Sequence, residues 1–409
     1  MTYSLRSGIF IILSVVILSC GKTNSVLTRD QEKFIAGQLN NTLSVSNDLS
    51  RFPRTVTENG DLVSTDIYDW TSGFFAGNLW YMYEITGDAK WKNEAVKWTE
   101  ALDTIQYWSG NHDLGFMMNC SYGNGLRLTG NEAYKKVLIQ SAESLCKRYN
   151  PVTKSIKSWN YRKAWNDSVE WFFPVIIDNM MNLELLFEAT RLSGNKRYEE
   201  IAIQHAQTTI KNHYKPDFSS YHVVDYDTIT GAVLDKATCQ GFTDESSWSR
   251  GQSWGLYGLI ICYRYTKDPQ YLQLAENVAD YLLHQPNLPE DGVPYWDYNA
   301  LDQGLTPEWK HDHSALPLTY RDASAASILS SALFELAGYS ETKANEYNAA
   351  ATRILRSLAE PAYMESPGDK YFILNHSVGS IPHGAEIDKP LVYADYYFLE
   401  AALRYKKIK

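Results

Sequence analysis

One pattern recurs along this chain and narrows its possible folds to a few. An apolar helical segment ends in an aromatic residue or Leu, a Thr/Ser-Gly-Asp/Asn turn follows, and a second, amphipathic segment begins. It stands as Tyr83-Glu84-Ile85-Thr86-Gly87-Asp88, Leu128-Thr129-Gly130-Asn131 and Leu192-Ser193-Gly194-Asn195. It returns in degenerate form as Tyr265-Thr266-Lys267-Asp268 and around Ala337-Gly338-Tyr339-Ser340. Glycine supplies the left-handed residue that stops a helix, and Asp or Asn caps the next one. The segments Tyr134 to Leu145, Tyr198 to Ile210 and Tyr271 to Leu283 carry alanines and large apolar residues at three- and four-residue spacing. Five hairpins are visible, and a sixth closes from the early segment Gln31 to Leu39 and the late one Tyr393 to Arg404. Repeats that cannot bury their own apolar faces stack or close on one another. The expectation is an all-α chain, a closed (α/α)6 barrel of six hairpins; an open helical solenoid is the alternative. Alternating β-branched stretches are scarce, and the best is Tyr221 to Tyr226.

The first 20 residues stand apart from this pattern. Arg6 precedes the apolar run Ile9 to Leu18, which is too short to span a bilayer permanently. Leu18-Ser19-Cys20-Gly21 resembles a bacterial lipobox, so residues 1–20 are expected to be a lipoprotein signal peptide. Cys20 would then become the lipidated N-terminus of an exported, periplasmic, membrane-anchored protein. An ordinary secretory signal cleaved nearby is the alternative. Residues 21–409 are expected to form one catalytic domain, because nearly 390 residues in one core suit a barrel or repeat architecture.

A net charge of −10 with no long run of Lys or Arg argues against nucleic acid as a partner. Cys120, Cys146, Cys239 and Cys262 have no short regular spacing, so nothing suggests a metal site. The 12 Trp and 29 Tyr suit the core of a large helical protein, and also the faces of sugars. Three long insertions, Asn150 to Val169, Lys215 to Ser249 and Gln285 to Tyr320, interrupt the repeats. Loops of this length in a compact domain are usually functional, and here they are expected to build a cleft at one mouth.

Asp178 is a lone carboxylate within the apolar run Trp171 to Leu183. A carboxyl buried in such surroundings tends to keep its proton, which suits a general acid; a helix cap is the plainer alternative. Similar helix starts recur at Asp69-Trp70-Thr71, His112-Asp113-Leu114, Ser249-Arg250-Gly251 and Arg321-Asp322-Ala323. Parallel inner helices would bring all of them to one cleft. Asp69 and Asp322 are best read as caps. Asp113 would lie near Asp178, and close carboxyls separate in pKa because the charge of one keeps the other protonated. His112, His222 and Arg250 add positive or donor character, which suggests an anionic group on the substrate that Arg250 could grip with two bonds.

These residues resemble the unsaturated glucuronyl hydrolases, glycoside hydrolase family 88, across nearly all of the mature length. The resemblance is carried by Asp69-Trp70-Thr71-Ser72-Gly73-Phe74, His112-Asp113-Leu114-Gly115-Phe116, Asp178-Asn179-Met180-Met181-Asn182, Ser249-Arg250-Gly251-Gln252-Ser253-Trp254 and Tyr393 to Glu400. It implies an (α/α)6 barrel, and removal of a 4,5-unsaturated uronic acid by hydration of its C4=C5 vinyl ether. It implies Asp178 as general acid/base and Asp113 as the second essential carboxylate. Trp70 and Trp254 would be aromatic walls, with His112, His222, Gln240 and Arg250 lining the cleft around the uronate. No metal or organic cofactor is implied. The implied partners are unsaturated glycosaminoglycan disaccharides or short oligosaccharides, handled by a monomer or weak oligomer. Family members that favour sulfated chondroitin fragments carry Ser-x-x-Ser-x-Lys near the C-terminus. Here Ser377 and Ser380 are kept but Pro382 stands at the Lys position, which speaks against sulfate recognition by that route; Lys389 is a possible substitute. Two other functions fit less well: an unsaturated rhamnogalacturonyl hydrolase, and a non-catalytic glycan-binding lipoprotein.

Overall fold

The computed structural model describes residues 27–164, 169–302, 304–307, 317–364 and 370–408. Cys20 and the expected signal peptide lie outside the described residues. Fourteen α-helices are present among the described residues. They are α1 (Arg29–Val45), α2 (Ser72–Thr86), α3 (Ala89–Glu100), α4 (Leu114–Met118), α5 (Asn124–Thr129), α6 (Glu132–Cys146) and α7 (Asn179–Ser193). The second half supplies α8 (Arg197–Asn212), α9 (Ser249–Thr266), α10 (Pro269–Leu283), α11 (Ala323–Ala337), α12 (Ala344–Leu358), the short α13 (Pro361–Met364) and α14 (Val392–Ile408). A π-helical turn, Asn119–Gly123, joins α4 to α5 and makes them one continuous inner segment.

The inner helices close a ring. α2 packs on the α4–α5 segment, α4 on α7, α7 on α9, α9 on α11, α11 on α14, and α14 returns to α2. Their sequences explain the placement. In α9 every residue from Ser249 to Cys262 is buried, so it has neighbours on all sides. The outer helices are buried along one stripe only: in α12 it is Tyr347, Ala350, Ala351, Ile354, Leu355 and Leu358, the spacing of a helix with one wet face. Helices α3, α6, α8, α10 and α12 pack on their inner partners. α1 completes the outer layer: Gln31 donates to the Ala359 carbonyl and Gln38 to that of Phe372, while Lys90 of α3 reaches Asn40. Six hairpins thus close on themselves, as the turn motif predicted, and the open solenoid is set aside.

The motif turns are the expected ones. Gly87, Gly130 and Gly194 end α2, α5 and α7 with φ of 71°, 68° and 75°, and Asp88 and Asn131 cap the helices that follow. At the degenerate fourth turn Lys267 takes the left-handed position, φ 57°. At the fifth, Gly338 stays right-handed, φ −72°, so that hairpin turns differently from the others.

The chain is not purely helical. Small antiparallel sheets lie between the helices: β1 (Phe52–Val56) with β2 (Leu62–Thr65), β3 (Tyr149–Asn150) with β4 (Ser155–Ile156), and β5 (Arg162–Lys163) with β6 (Glu170–Trp171). Strands β7 (Pro174–Ile176), β8 (Val223–Tyr226) and β9 (Val233–Ala237) form a three-stranded sheet, and β10 (Ser377–Ser380) pairs with β11 (Ala385–Lys389). The expected strand at Tyr221 to Tyr226 is the centre of the three-stranded sheet. The insertions bond to the starts of inner helices: Ile177 N–H donates to the His222 carbonyl, Ser249 N–H to that of Trp296, and Asp322 N–H to that of Pro294. Those helix starts therefore form the floor of one mouth, with insertion loops as its walls. All four cysteines within the described residues are free and buried. No described helix is long and apolar enough to cross a membrane.

Candidate active site

Several inner helices begin with an acid at that mouth, but the acids do different work. Asp322 caps α11, accepting from the N–H groups of Ser324 at 3.0 Å and Ala325 at 3.3 Å. Asp69 accepts from Thr71 N–H at 2.9 Å and pairs with Arg54 at 2.6 Å, just ahead of α2. Asp113 and Asp178 occupy the cap positions of α4 and α7, yet neither side chain makes a cap bond. Asp178 Oδ2 is buried with no hydrogen-bond partner. The capping explanation for Asp178 is thereby removed.

Burial raises the pKa of both carboxyls. Asp178 is pushed up to about 7 by desolvation, held in check by the positive charge of Arg250. Asp113 goes up to about 8, through desolvation first and the charge of Asp178 second. Asp178 ionises first, and its charge then helps Asp113 keep its proton.

Asn182, which closes the Asp178-to-Asn182 motif but had no role of its own in the sequence, ties Asp113 to the helix that carries Asp178. It lies one helical turn after Asp178, so both side chains share one face of α7. Its Oδ1 accepts from Phe116 N–H at 2.9 Å, and its Nδ2 lies 3.3 Å from both Asp113 Oδ1 and His112 Nδ1. That exchange fixes the start of α4 against α7. His112 is fully buried, and desolvation with the nearby Arg148 charge lowers its pKa to about 3, so the ring is neutral.

His222, on the edge of β8, faces Asp178 directly. Its Nδ1 accepts from Cys239 N–H at 3.0 Å, so the proton of the neutral ring resides on Nε2. That nitrogen lies 3.7 Å from Asp178 Oδ2. Burial, together with the charges of Arg162 and Arg250, holds His222 well below its usual pKa. The ring is wedged against Trp248, centroids 4.6 Å apart, and meets the edge of Trp159 at 5.8 Å. Both tryptophans are further additions to the expected set. Trp248 immediately precedes the Ser249–Trp254 motif, a position that could have flagged it.

Arg250 does reach the cleft, but most of its donors are engaged. Nη1 binds Asp322 at 3.3 Å and the Val378 carbonyl, Nη2 binds the Gly379 carbonyl at 2.7 Å, and the guanidinium stacks 4.7 Å over Trp248. Arg250 therefore fastens β10 to α9 and sets the local field, with Nε–H and one Nη2–H left for a ligand. Trp70 is half-buried, packed 4.8 Å from Tyr393 and 5.7 Å from Phe116. Trp254 is 1% exposed, between Phe116 at 4.9 Å and Tyr397 at 5.1 Å, so it forms a floor beneath the cleft and not an open wall. Gln240 is half-buried and follows Cys239, whose N–H orients His222.

A cavity of about 850 Å³ opens at the opposite end of the ring. Its charges are paired with one another: Arg264 with Glu184 and Glu335, Arg404 with Glu335, and Glu400 with Tyr257 and Ser331. It has the character of a satisfied structural network. The uncapped, buried acids lie at the other mouth.

Known proteins resemble this chain in sequence and in fold. Residues 47–265 match the model of Glycosyl Hydrolase Family 88. An unsaturated glucuronyl hydrolase of Formosa agariphila is 47% identical over 87% of this chain and 84% of its own length. An unsaturated chondroitin disaccharide hydrolase of Streptococcus agalactiae is 32% identical over 87% and 86%. The crystal structure of an unsaturated glucuronyl hydrolase specific for heparin superposes with a TM-score of 0.84 at 42% identity, covering 93% of this chain and 96% of that one. With the helical ring, the uncapped acids and these likenesses together, the chain belongs to glycoside hydrolase family 88.

Proposed function

We propose that the protein is an unsaturated glucuronyl hydrolase, with Asp178 as its general acid and base. The observation that carries this is a pair of buried carboxyls at two helix starts, neither used as a cap, both with raised pKa. A vinyl ether is hydrated by proton addition at C4, which leaves an oxocarbenium centre at C5 supported by the ring oxygen. Protonated Asp178 supplies that proton and becomes a carboxylate. The carboxylate then takes a proton from the water adding at C5, so the enzyme returns to its starting state. The resulting hemiketal opens the ring and releases the rest of the sugar. A pKa near neutrality suits a group that must give and then take a proton. Asp113, protonated over the same range, donates to a sugar hydroxyl, and His222 Nε2–H faces Asp178 across 3.7 Å. Trp70 and the buried Trp254 shape the subsite, and His112, Gln240 and Arg250 complete the surroundings of the uronate.

The unsaturated ring absorbs in the ultraviolet, so turnover is read directly as loss of that absorbance. Wild-type protein should bleach glycosaminoglycan-derived unsaturated disaccharides, and Asp178→Asn should slow this by about a thousandfold or more. Heparin-derived disaccharides deserve first place in the panel, given the heparin-specific neighbour. If wild type leaves every unsaturated disaccharide intact, the hydrolase reading fails and the glycan-binding one gains. If it bleaches only pectin-derived substrates, the rhamnogalacturonyl reading replaces it.

The protein is also proposed to be exported and held to a bacterial membrane through lipid on Cys20. The basic residue, short apolar run and Leu18-Ser19-Cys20-Gly21 segment support this. Metabolic labelling with a fatty acid should mark wild type and not Cys20→Ala; equal labelling of both would overturn it.

A further inference from the structure

Two aromatic rings stand at the rim of the mouth, by the starts of α2 and α4, and take no part in the chemistry above. Tyr68 is 50% exposed and stands just ahead of Asp69 and Trp70; Trp108 is half-buried and leads into the segment that ends at Asp113. Their ring centroids lie 5.5 Å apart, with the planes tilted by 56°. Trp108 follows the 3-10 turn Asp103–Tyr107 and packs against the core. A Cβ on Gly110 would lie 2.3 Å from Trp108 Cζ2, so glycine lets the chain close over the indole. The backbone around each ring is pinned. Tyr68 N–H donates to Asp66 Oδ1 at 2.9 Å, and Asp69 pairs with Arg54. Arg148 Nη1 donates to the Ser109 carbonyl at 2.7 Å, and Asn111 Oδ1 accepts from Asp113 N–H at 2.8 Å. The two rings therefore keep a fixed place relative to the acids.

A buried indole N–H usually finds an acceptor, as those of Trp80 and Trp171 do in Thr99 and Asp235. Among the described residues neither Trp108 Nε1–H nor the Tyr68 hydroxyl is hydrogen-bonded. The pair thus presents flat apolar surface edged by two free donors. A pyranose is its complement: C–H groups make a face of the ring apolar, and hydroxyls stand around the edge. Each aromatic side chain has only two χ angles to fix, so ordering it against a ligand costs little. Continuity with the cleft sets the occupant. The uronate ring lies at Asp113 and Asp178, the second sugar follows it, and the rest of any longer chain has to leave past the rim.

We infer that Tyr68 and Trp108 form a stacking platform for the third sugar of an unsaturated oligosaccharide, counted from the uronate. The platform holds a ring face and not a charge, so it confers a preference for chain length. The inference rests on the hydrolase function proposed above.

The test compares an unsaturated disaccharide with the tetrasaccharide of the same repeat, using wild type, Tyr68→Ala, Tyr68→Phe and Trp108→Ala. Wild-type kcat/KM for the tetrasaccharide should exceed that for the disaccharide by about tenfold, the scale of covering part of one ring face. Tyr68→Ala and Trp108→Ala should bring that ratio toward one, chiefly through KM, and Tyr68→Phe should keep most of it. The preference should survive added salt, since stacking carries no net charge. Calorimetric titration of both sugars into Asp178→Asn reads the same preference as a ratio of Kd values, without turnover. Because Tyr68 is exposed, it decides the matter if Trp108→Ala does not fold. Equal wild-type kcat/KM on the two substrates overturns the platform and leaves the hydrolase standing. A preference that disappears in salt overturns it as well, since a charged group of the third sugar would then be what is held. An equal loss on both substrates in Tyr68→Ala does the same, because Tyr68 would then only position Trp70. Absence of turnover with a length preference in binding removes the hydrolase reading and keeps the platform.

Discussion

Asp113 shows how a single residue sets stability against function. Its folded pKa, about 8, lies above the ordinary value of 3.8. The folded state therefore holds this proton more tightly than the unfolded chain. The stability linked to it is full below about pH 4 and is lost as pH rises through about 8. Asp113→Asn cannot ionise, and its side-chain oxygen can still accept from Asn182. Melting in parallel at pH 4.5 and 8.5 should show the variant level with wild type at the lower pH. At the higher pH it should melt later by on the order of 2 °C, while turnover falls. A variant less stable at both pH values would mean that the carboxyl is structural. Asp178 stood out in the sequence because an acid inside an apolar run is conspicuous, and Asp113 because it sits at a helix start like the others. Asn182 did not: a mid-helix Asn looks like any polar helical residue until the partner helix is seen to bond to it. Trp254 misled in the opposite direction, since a sequence marks an aromatic ring but not which side of it is covered.

At the scale of elements, the ring depends on how closely its helices approach. A Cβ on Gly115 of α4 would lie 2.4 Å from the Asn182 Cα of α7, and one on Gly73 would lie 2.2 Å from the Met117 carbonyl oxygen. Backbone cannot yield as a flexible side chain can. Gly115→Ala is expected to cost about 2 kcal/mol in denaturant unfolding, through the strain of overpacking. It should also lower kcat, because it displaces the residue that ties Asp113 to α7. Gly37, on the outer helix α1, has open space where its Cβ would go. Gly37→Ala should be stabilising by about 0.5 to 1 kcal/mol with activity kept. Equal effects at the two positions would contradict this picture of the helix contacts. The hairpins could be read in advance because a left-handed turn strongly favours glycine, and three of the turns have it. The fifth did not follow, since Gly338 can adopt a right-handed conformation as easily as any residue. Most of the short strands left no trace, because two-residue ladders within loops have no periodicity to detect; their pairing is set by the helices on which the loops rest.

Over the whole molecule, the two ends of the ring differ in character: uncapped buried acids at the helix starts, paired charges at the helix ends. Glu335 accepts from Arg264 and Arg404 at 2.6 Å each and is held below its usual pKa by burial-strengthened pairing with both. Glu335→Gln would leave two largely buried guanidinium groups short of an anion, a loss of about 3 to 5 kcal/mol. Its melting temperature should fall while kcat/KM at 25 °C remains near wild type, and a selective loss of turnover would show that the two ends communicate. The ring is also shut in a particular way, with α14 packed between α2 and α11 and α1 resting on the turn that follows α12. The first helix thus meets a late partner and α2 meets the last helix, so the mouth that holds Asp113 and Asp178 has no complete floor until synthesis has reached the final segment. A nascent chain of this kind has no halfway enzyme. It stays open to chaperones and proteases throughout its making, and becomes competent in one step when the closing helix docks.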